Sequence, residues 1–221
     1  MFSFIFPGNT LFTSTSFMWS SAKVYDKTSL IGQLIAKRKR TFMSWPPNFG
    51  KNHIFNTIRE IFRGNKALFV GTDIYNSSYA WISYPVLDFD FYRIATGTRD
   101  VRDFECNLNH RLQELLSMYR ISTEERHDTK GLRLLTYLVT TLYEYNRTES
   151  VVLVDEYDFP IIRFHRKRAE KNHMLLNHFF KSLKSLGKYI RFLLVTGVSL
   201  IHLDWNGIED ISLDPEYIRL F

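Results

Sequence analysis

Hydrophobic positions along this chain recur in two rhythms. From Asp26 to Ala36, Leu30, Ile31, Leu34 and Ile35 fall at helical spacing, with Asp26 or Thr28 as N-cap. Thr41 to Trp45 reads as a short β-prone segment stopped by Pro46-Pro47, and Asn48 to Asn52 leads into an amphipathic stretch that runs through Phe62. Tyr84 to Phe91 predicts a second strand, with alternation beginning at Val86, and the uninterrupted apolar run Val151-Val152-Leu153-Val154 predicts a third, buried on both faces. Two helical patterns lie between them, Val101 to Tyr119 and Thr129 to Tyr145. A further helix is expected from about Ala169 to Leu186 and a fourth strand at Phe192 to Val195. Tyr92 to Asp103 reads as a loop and as the best candidate for a mobile element.

Strands alternating with long helices imply right-handed βαβ crossovers, hence an α/β domain of three layers with a mainly parallel sheet flanked by helices. Ligands of such sheets bind beyond the carboxyl ends of the strands. Three of the four expected strands end there in polar or loop chemistry, at Pro46 to Asn52, Asp155-Glu156 and Thr196-Gly197.

Composition narrows the class without deciding the function. Hydrophobic residues at 45% and charged residues at 24% are ordinary for a folded domain and exclude a wholly disordered or collagen-like chain. Aromatic residues are spread through the apolar patterns, which places them in the core and not on a base-stacking platform. The single cysteine, Cys106, has no internal disulfide partner and reads as a small buried apolar residue. The segment Met1 to Trp19 lacks a basic start and is interrupted by Pro7, Gly8 and Asn9, so it fits a secretory signal poorly, and no stretch reaches the length of a membrane span. The expectation is a soluble intracellular protein, cytoplasmic or nuclear. A net charge of +6 gathers in basic runs at Lys37 to Arg40 and Arg163 to Lys171. These read either as solvated faces, as a grip on nucleic acid, or, for the second run, as a source of an arginine finger for a neighbouring subunit. His165, His173 and His178 match no closed zinc set and read as helix-face residues.

The strongest local signal is Val151 to Asp158, a buried strand that delivers Asp155 and Glu156 to the sheet edge. This is a Walker B pattern, in which the acid ending the strand holds Mg²⁺ and the next Glu polarises the attacking water. The alternative is a plain strand followed by a charged turn. Upstream, Gly50-Lys51 stands between a strand and a helix, where backbone N–H groups and an ammonium can cradle phosphate. The loop Trp45 to Asn52 lacks the first glycine of a phosphate-binding loop and places Asn52 where a hydroxyl would ligate Mg²⁺.

Six blocks in order make the chain resemble the AAA-ATPase-like family. They are Tyr25 to Thr28, Phe49-Gly50-Lys51, Tyr84-Pro85-Val86, Val152 to Ile161, Leu194 to Ser199 and Ile211 to Tyr217. The resemblance covers nearly everything after residue 23, leaving 1–22 as an N-terminal extension to a domain at 23–221. It implies a P-loop NTPase-like fold, phosphate binding at Phe49, Gly50, Lys51 and Asn52, Mg²⁺ at Asp155 and Asn52, catalysis at Glu156 and a sensor-like role for Thr196. ATP and Mg²⁺ are then the expected cofactors, with self-association and a protein or nucleic-acid partner as further expectations. The family's loop resembles R-P-R-R-F-G-K-[ST]. Here Trp45, Pro47 and Asn48 replace its arginines, Asn52 its hydroxyl, and Leu200 a basic residue that commonly follows T-G-V-S. The nuclease-like domain that often follows the module in this family is not expected within these residues. The expected function is ATP binding with weak hydrolysis. The alternatives are a catalytically dead scaffold, or a fragment of a longer ATPase–nuclease gene.

Overall fold

Among the described residues five parallel strands form one sheet, and its inner strands are buried on both faces. The computed structural model describes residues 26–37, 40–44, 51–96, 104–122, 131–199, 201, 207–215, 217 and 220. Its strands are β1 (Arg40–Ser44), β2 (Val86–Asp90), β3 (Ser150–Asp155), β4 (Ile190–Gly197) and β5 (Glu209–Asp210), in the order β2-β3-β4-β1-β5. Every pairing is parallel. β3 lies between β2 and β4 and is buried from Ser150 to Val154, which is why Val151 to Val154 shows no polar alternation.

Successive side chains of a strand leave opposite faces, and the two cores divide accordingly. Leu87, Phe89, Val152, Val154, Leu193, Val195 and Phe42 pack under one layer of helices. That layer comprises α4 (Phe91–Thr96), α5 (Phe104–Met118), α6 (Arg133–Asn146) and α8 (Arg166–Ser185). Val86, Val151, Leu153, Phe192, Leu194 and Met43 pack on the other side against α1 (Thr28–Lys37), α2 (Lys51–Phe62) and the short α3 (Asp73–Asn76). The aromatic residues are core, as expected: Phe89, Phe91, Phe104 and Phe179 stack edge to face at 5.1–6.4 Å.

Several expectations are corrected. Tyr92 to Thr96 is helical and not loop, because Asp90 accepts a hydrogen bond from Arg93 N at 3.0 Å and Phe91, Ile94 and Ala95 are buried; residues 97–103 lie outside the described residues. Cys106 is exposed and not buried. The buried stripe of α5 runs through Phe104, Leu108, Leu112, Leu115 and Leu116, and Cys106 is two residues, about 200° of helix, away from the first of them. α8 begins at Arg166, earlier than Ala169, with Arg166 pairing to Glu170 at 3.0 Å one turn on. The short helix α7 (Phe159–Ile162) and strand β5 carry too few residues to show a period.

Among the described residues both edge strands carry features that disfavour further pairing. On β2, the Tyr119 hydroxyl accepts from Val86 N at 2.8 Å and donates to Val86 O at 3.0 Å, while Arg111 donates to Asp88 O at 3.1 Å. These side chains satisfy the backbone groups a sixth strand would use, and burial pushes the Tyr119 phenol up to about 12. On the far side, β5 is two exposed acidic residues. The Asp26-Lys27-Thr28 block is a structural clasp. Asp26 accepts from Thr28 N at 2.8 Å and Asp73 N at 2.6 Å, Thr28 accepts from Ile74 N, and Lys27 donates to Leu220 O at 2.8 Å.

Candidate nucleotide site

β1, β3 and β4 lie side by side, so the segments that leave their carboxyl ends must meet. Lys51 is the first residue of α2, the helix after β1, and it is only 7% exposed. Its ammonium has no hydrogen-bond partner among the described residues and sits 3.9 Å from Glu156 Oε1. A buried ammonium has three donors to satisfy and costs several kcal/mol when they are not. The first turn of α2 carries no acidic residue of its own to offset its positive dipole end. A lysine without a hydrogen bond at the head of such a helix fits an anionic oxygen, as a phosphate supplies.

Facing it is a cluster of carboxylates. Asp155 ends β3, and its Oδ1 accepts from the Thr196 hydroxyl on neighbouring β4 and from Glu156 N at 2.9 Å. Among the described residues Asp155 Oδ2 makes no hydrogen bond. Glu156 adopts a left-handed conformation, φ 49°, which costs a non-glycine residue about 1 kcal/mol and turns the chain sharply off the strand. Asp90 ends β2 in register with Asp155. Burial first, then the neighbouring Asp155, Asp90 and Asp158, push the Glu156 carboxyl above its ordinary value, against the pull of Lys51. Asp90 is likewise raised, by burial and then by Asp155, although the backbone N–H and guanidinium of Arg93 oppose the shift. Asp90, Asp155, Glu156 and Asp158 thus lie close enough to act on one another, with Lys51 paired to Glu156 and Arg93 to Asp90, and the remaining acid excess is one that a divalent cation would offset.

The turn after β3 also holds the loop after β4. Asp158, 1% exposed, accepts from Val198 N at 2.9 Å and Ser199 N at 2.6 Å. The Tyr157 hydroxyl donates to Ser199 O at 2.5 Å and accepts from Ile201 N at 2.8 Å, its phenol pushed up to about 12 by burial. The Tyr157 ring stands edge-on to Phe42 at 5.5 Å and occupies the space in front of Gly197, where an added Cβ would lie 2.5 Å from Cε1. Gly197→Ala should therefore destabilise the protein by about 1–3 kcal/mol, read from its denaturant midpoint, because the ring is fixed at both ends and cannot withdraw cheaply. A variant within about 0.5 kcal/mol of wild type would show that the ring moves aside.

The structure thus brings Lys51, Asp155, Glu156 and Thr196 to one edge, and Asn52 stands one residue further along α2, exposed. Phe49 and Gly50 lie outside the described residues. Sequence reasoning missed Asp90, Tyr157 and Asp158 as parts of the site; the acid ending the Asp88-Phe89-Asp90 alternation was the only available signal for the first. Among the described residues no group of three or more His, Cys, Asp and Glu forms a metal cage. Mg²⁺ needs no such cage when one or two carboxylates act together with phosphates.

A parallel sheet covered by helices on both faces, with a lysine-headed helix after β1 and an acidic pair ending β3, defines an α/β domain of the P-loop NTPase-like class. The chain belongs to the family described as predicted AAA-ATPase, whose model matches residues 16–205. It is 30% identical over 208 residues to an uncharacterized protein from the vnfD 5' region of Azotobacter chroococcum mcd 1, a match covering 88% of this chain and 38% of that one. The chain therefore spans well under half the length of this relative. No solved structure matches it. No helix among the described residues is long and apolar enough to cross a membrane.

Proposed function

We propose that the edge formed by Lys51, Asn52, Asp155, Glu156 and Thr196, with the preceding Phe49 and Gly50, binds Mg-ATP and hydrolyses it slowly. The observation that carries this is the buried, unbonded Lys51 ammonium at the head of α2, opposite the Asp155–Glu156 pair. Lys51 receives the terminal phosphates, and Asp155, with Asn52 assisting, is the ligand for Mg²⁺. When bound, Mg²⁺ supplies neutralisation of the phosphate charge. Thr196 fixes the Asp155 carboxylate through its hydroxyl. Glu156 accepts the proton of the water whose oxygen bonds to the terminal phosphorus as the bond to the ADP oxygen breaks.

Glu156 works as a base only when ionised, and its carboxyl lies above the ordinary value of 4.5. The rising limb of the rate against pH should therefore sit higher than an unperturbed glutamate would place it. Glu156→Gln should lower phosphate release by about 100-fold or more and remove that limb, while leaving nucleotide affinity in place. A Gln variant that releases phosphate at the wild-type rate would remove Glu156 from the chemistry.

The second reading, a domain that keeps the fold without the reaction and serves as a scaffold for a protein or nucleic acid, is favoured by the loop itself. Trp45, Pro47, Asn48 and Asn52 stand where the family resemblance expects three arginines and a hydroxyl. Each missing charge-assisted hydrogen bond is worth roughly 1.5–3 kcal/mol. In that reading Lys51→Ala is silent.

A further inference from the structure

The charge excess of this protein is concentrated on one helix. Residues 163–188, which are α8 with its flanks, hold eight Lys and Arg against a single Glu, a net of +7 where the whole chain is +6. The rest of the molecule is therefore slightly acidic, at −1, and the basic pI belongs to one element.

The structure shows which way these charges face. The inner side of α8 is consumed by the core, with Asn172, Leu176, Phe179, Phe180 and Leu183 buried. The opposite side exposes Arg166, Lys167, Lys171, Lys181 and Lys184, continued by Arg163 before the helix and Lys188 after it. Met174 and His178, both exposed, lie in the same stripe between its two basic ends. A 20-residue helix is about 30 Å long, and Lys167 and Lys181, 14 residues apart, project from nearly the same side about 21 Å from each other. Glu170 is the one acid within this stretch, and its carboxylate is paired with Arg166 at 3.0 Å.

We infer that this face of α8 binds the phosphate backbone of a double-stranded nucleic acid, without reading its sequence. A straight row of cations spanning about one helical turn of duplex suits a stiff, regularly charged rod. Single-strand binders add exposed aromatic rings on which bases stack, whereas Phe179 and Phe180 are spent in the core. An anionic membrane would call for an apolar face to insert, and the apolar face of α8 is already buried. The nucleotide site plays no part in this binding, so either can fail without the other.

The test uses the full chain and a random-sequence DNA duplex of about two helical turns, with the matching RNA duplex beside it, titrated by fluorescence anisotropy across about 50–200 mM salt. If six of the seven exposed cations engage, affinity should fall roughly 1000-fold over that range. The triple variant Lys167→Gln, Lys181→Gln, Lys188→Gln should flatten the logarithmic salt slope by about 2.7, at roughly 0.9 for each phosphate no longer neutralised. Its melting temperature should not change, because all three side chains are exposed. An equal reduction of charge elsewhere, in Arg63→Gln, Lys66→Gln, Arg120→Gln, should leave the slope as it is. Absence of duplex binding at the lowest salt, or the same slope change in both triple variants, would overturn the inference. So would phosphatidylserine vesicles that bind as tightly as duplex and lose binding in the α8 variant, since that would assign the face to a lipid surface.

Discussion

Mg-ATP at about 100 times its dissociation constant should raise the midpoint of thermal unfolding by roughly 5–10 °C. A ligand at that excess contributes about 2.7 kcal/mol, and a domain of this size gains about 2–4 °C per kcal/mol. The shift should require Mg²⁺ and should vanish in Lys51→Ala and Asp155→Ala. Lys51→Met is the sharper control, because it keeps the packed stem and removes only the ammonium. That ammonium makes no hydrogen bond among the described residues, so deleting it forfeits none and removes only the 3.9 Å ion pair to Glu156. A wild-type protein that does not respond to millimolar Mg-ATP would end the nucleotide reading and leave the scaffold. A shift that survives in Lys51→Met would place the nucleotide elsewhere.

Asp158→Ala should be the most damaging single change at the sheet edge, costing about 3–5 kcal/mol and lowering the melting temperature by on the order of 10 °C. The buried carboxylate accepts from two consecutive backbone N–H groups, Val198 and Ser199, and alanine leaves both donors without it. Hydrogen bonds to a charged group are worth about 1.5–3 kcal/mol each. Asp158→Asn keeps the shape and one acceptor and should lose about half as much. If Asp158→Ala denatures within about 0.5 kcal/mol of wild type, the loop after β4 is held by Tyr157 alone. Because that loop continues from Thr196, which bonds Asp155, loosening it should also weaken any Mg-dependent response.

Glu156 shows what the proposed site costs the fold. Its carboxyl is raised in the folded state, so its ionised form is less favourable there than in the unfolded chain. Its contribution to stability is therefore greatest below the unfolded value of 4.5 and is lost as pH rises through the higher folded value. The same residue carries the left-handed turn, φ 49°. A glutamate held in a strained turn among three other acids is a poor choice for stability, and the proposed nucleotide site would account for it.

The acidic pair was legible in the sequence because Val151 to Val154 can only be a buried strand, and a buried strand must deliver its next residues to an edge. Lys51 was legible as the residue between a strand and an amphipathic helix, although its burial was not. Asp90 and Asp158 were not legible. The first looked like one polar position in an alternation that ran on into an expected loop, the second like part of a charged turn, and their roles come from β3 and from the loop after β4. Cys106 was misread because burial was inferred from residue type, whereas the helix face of α5 is decided by the period of its leucines.

By itself the sequence determined the order of the main strands and helices, the α/β class, the basic excess and the family, since each of these rests on local periodicity or on blocks of residues in order. Tertiary structure alone decided that β4 inserts between β3 and β1, which carries Thr196 to Asp155 across 41 positions of chain. It also decided that Tyr119 seals β2, and that the cations of α8 share one outward side. The reason is physical: a period along the chain reports which face of an element is buried, but hydrogen bonds and charge pairs between distant elements exist only once the sheet has chosen its neighbours.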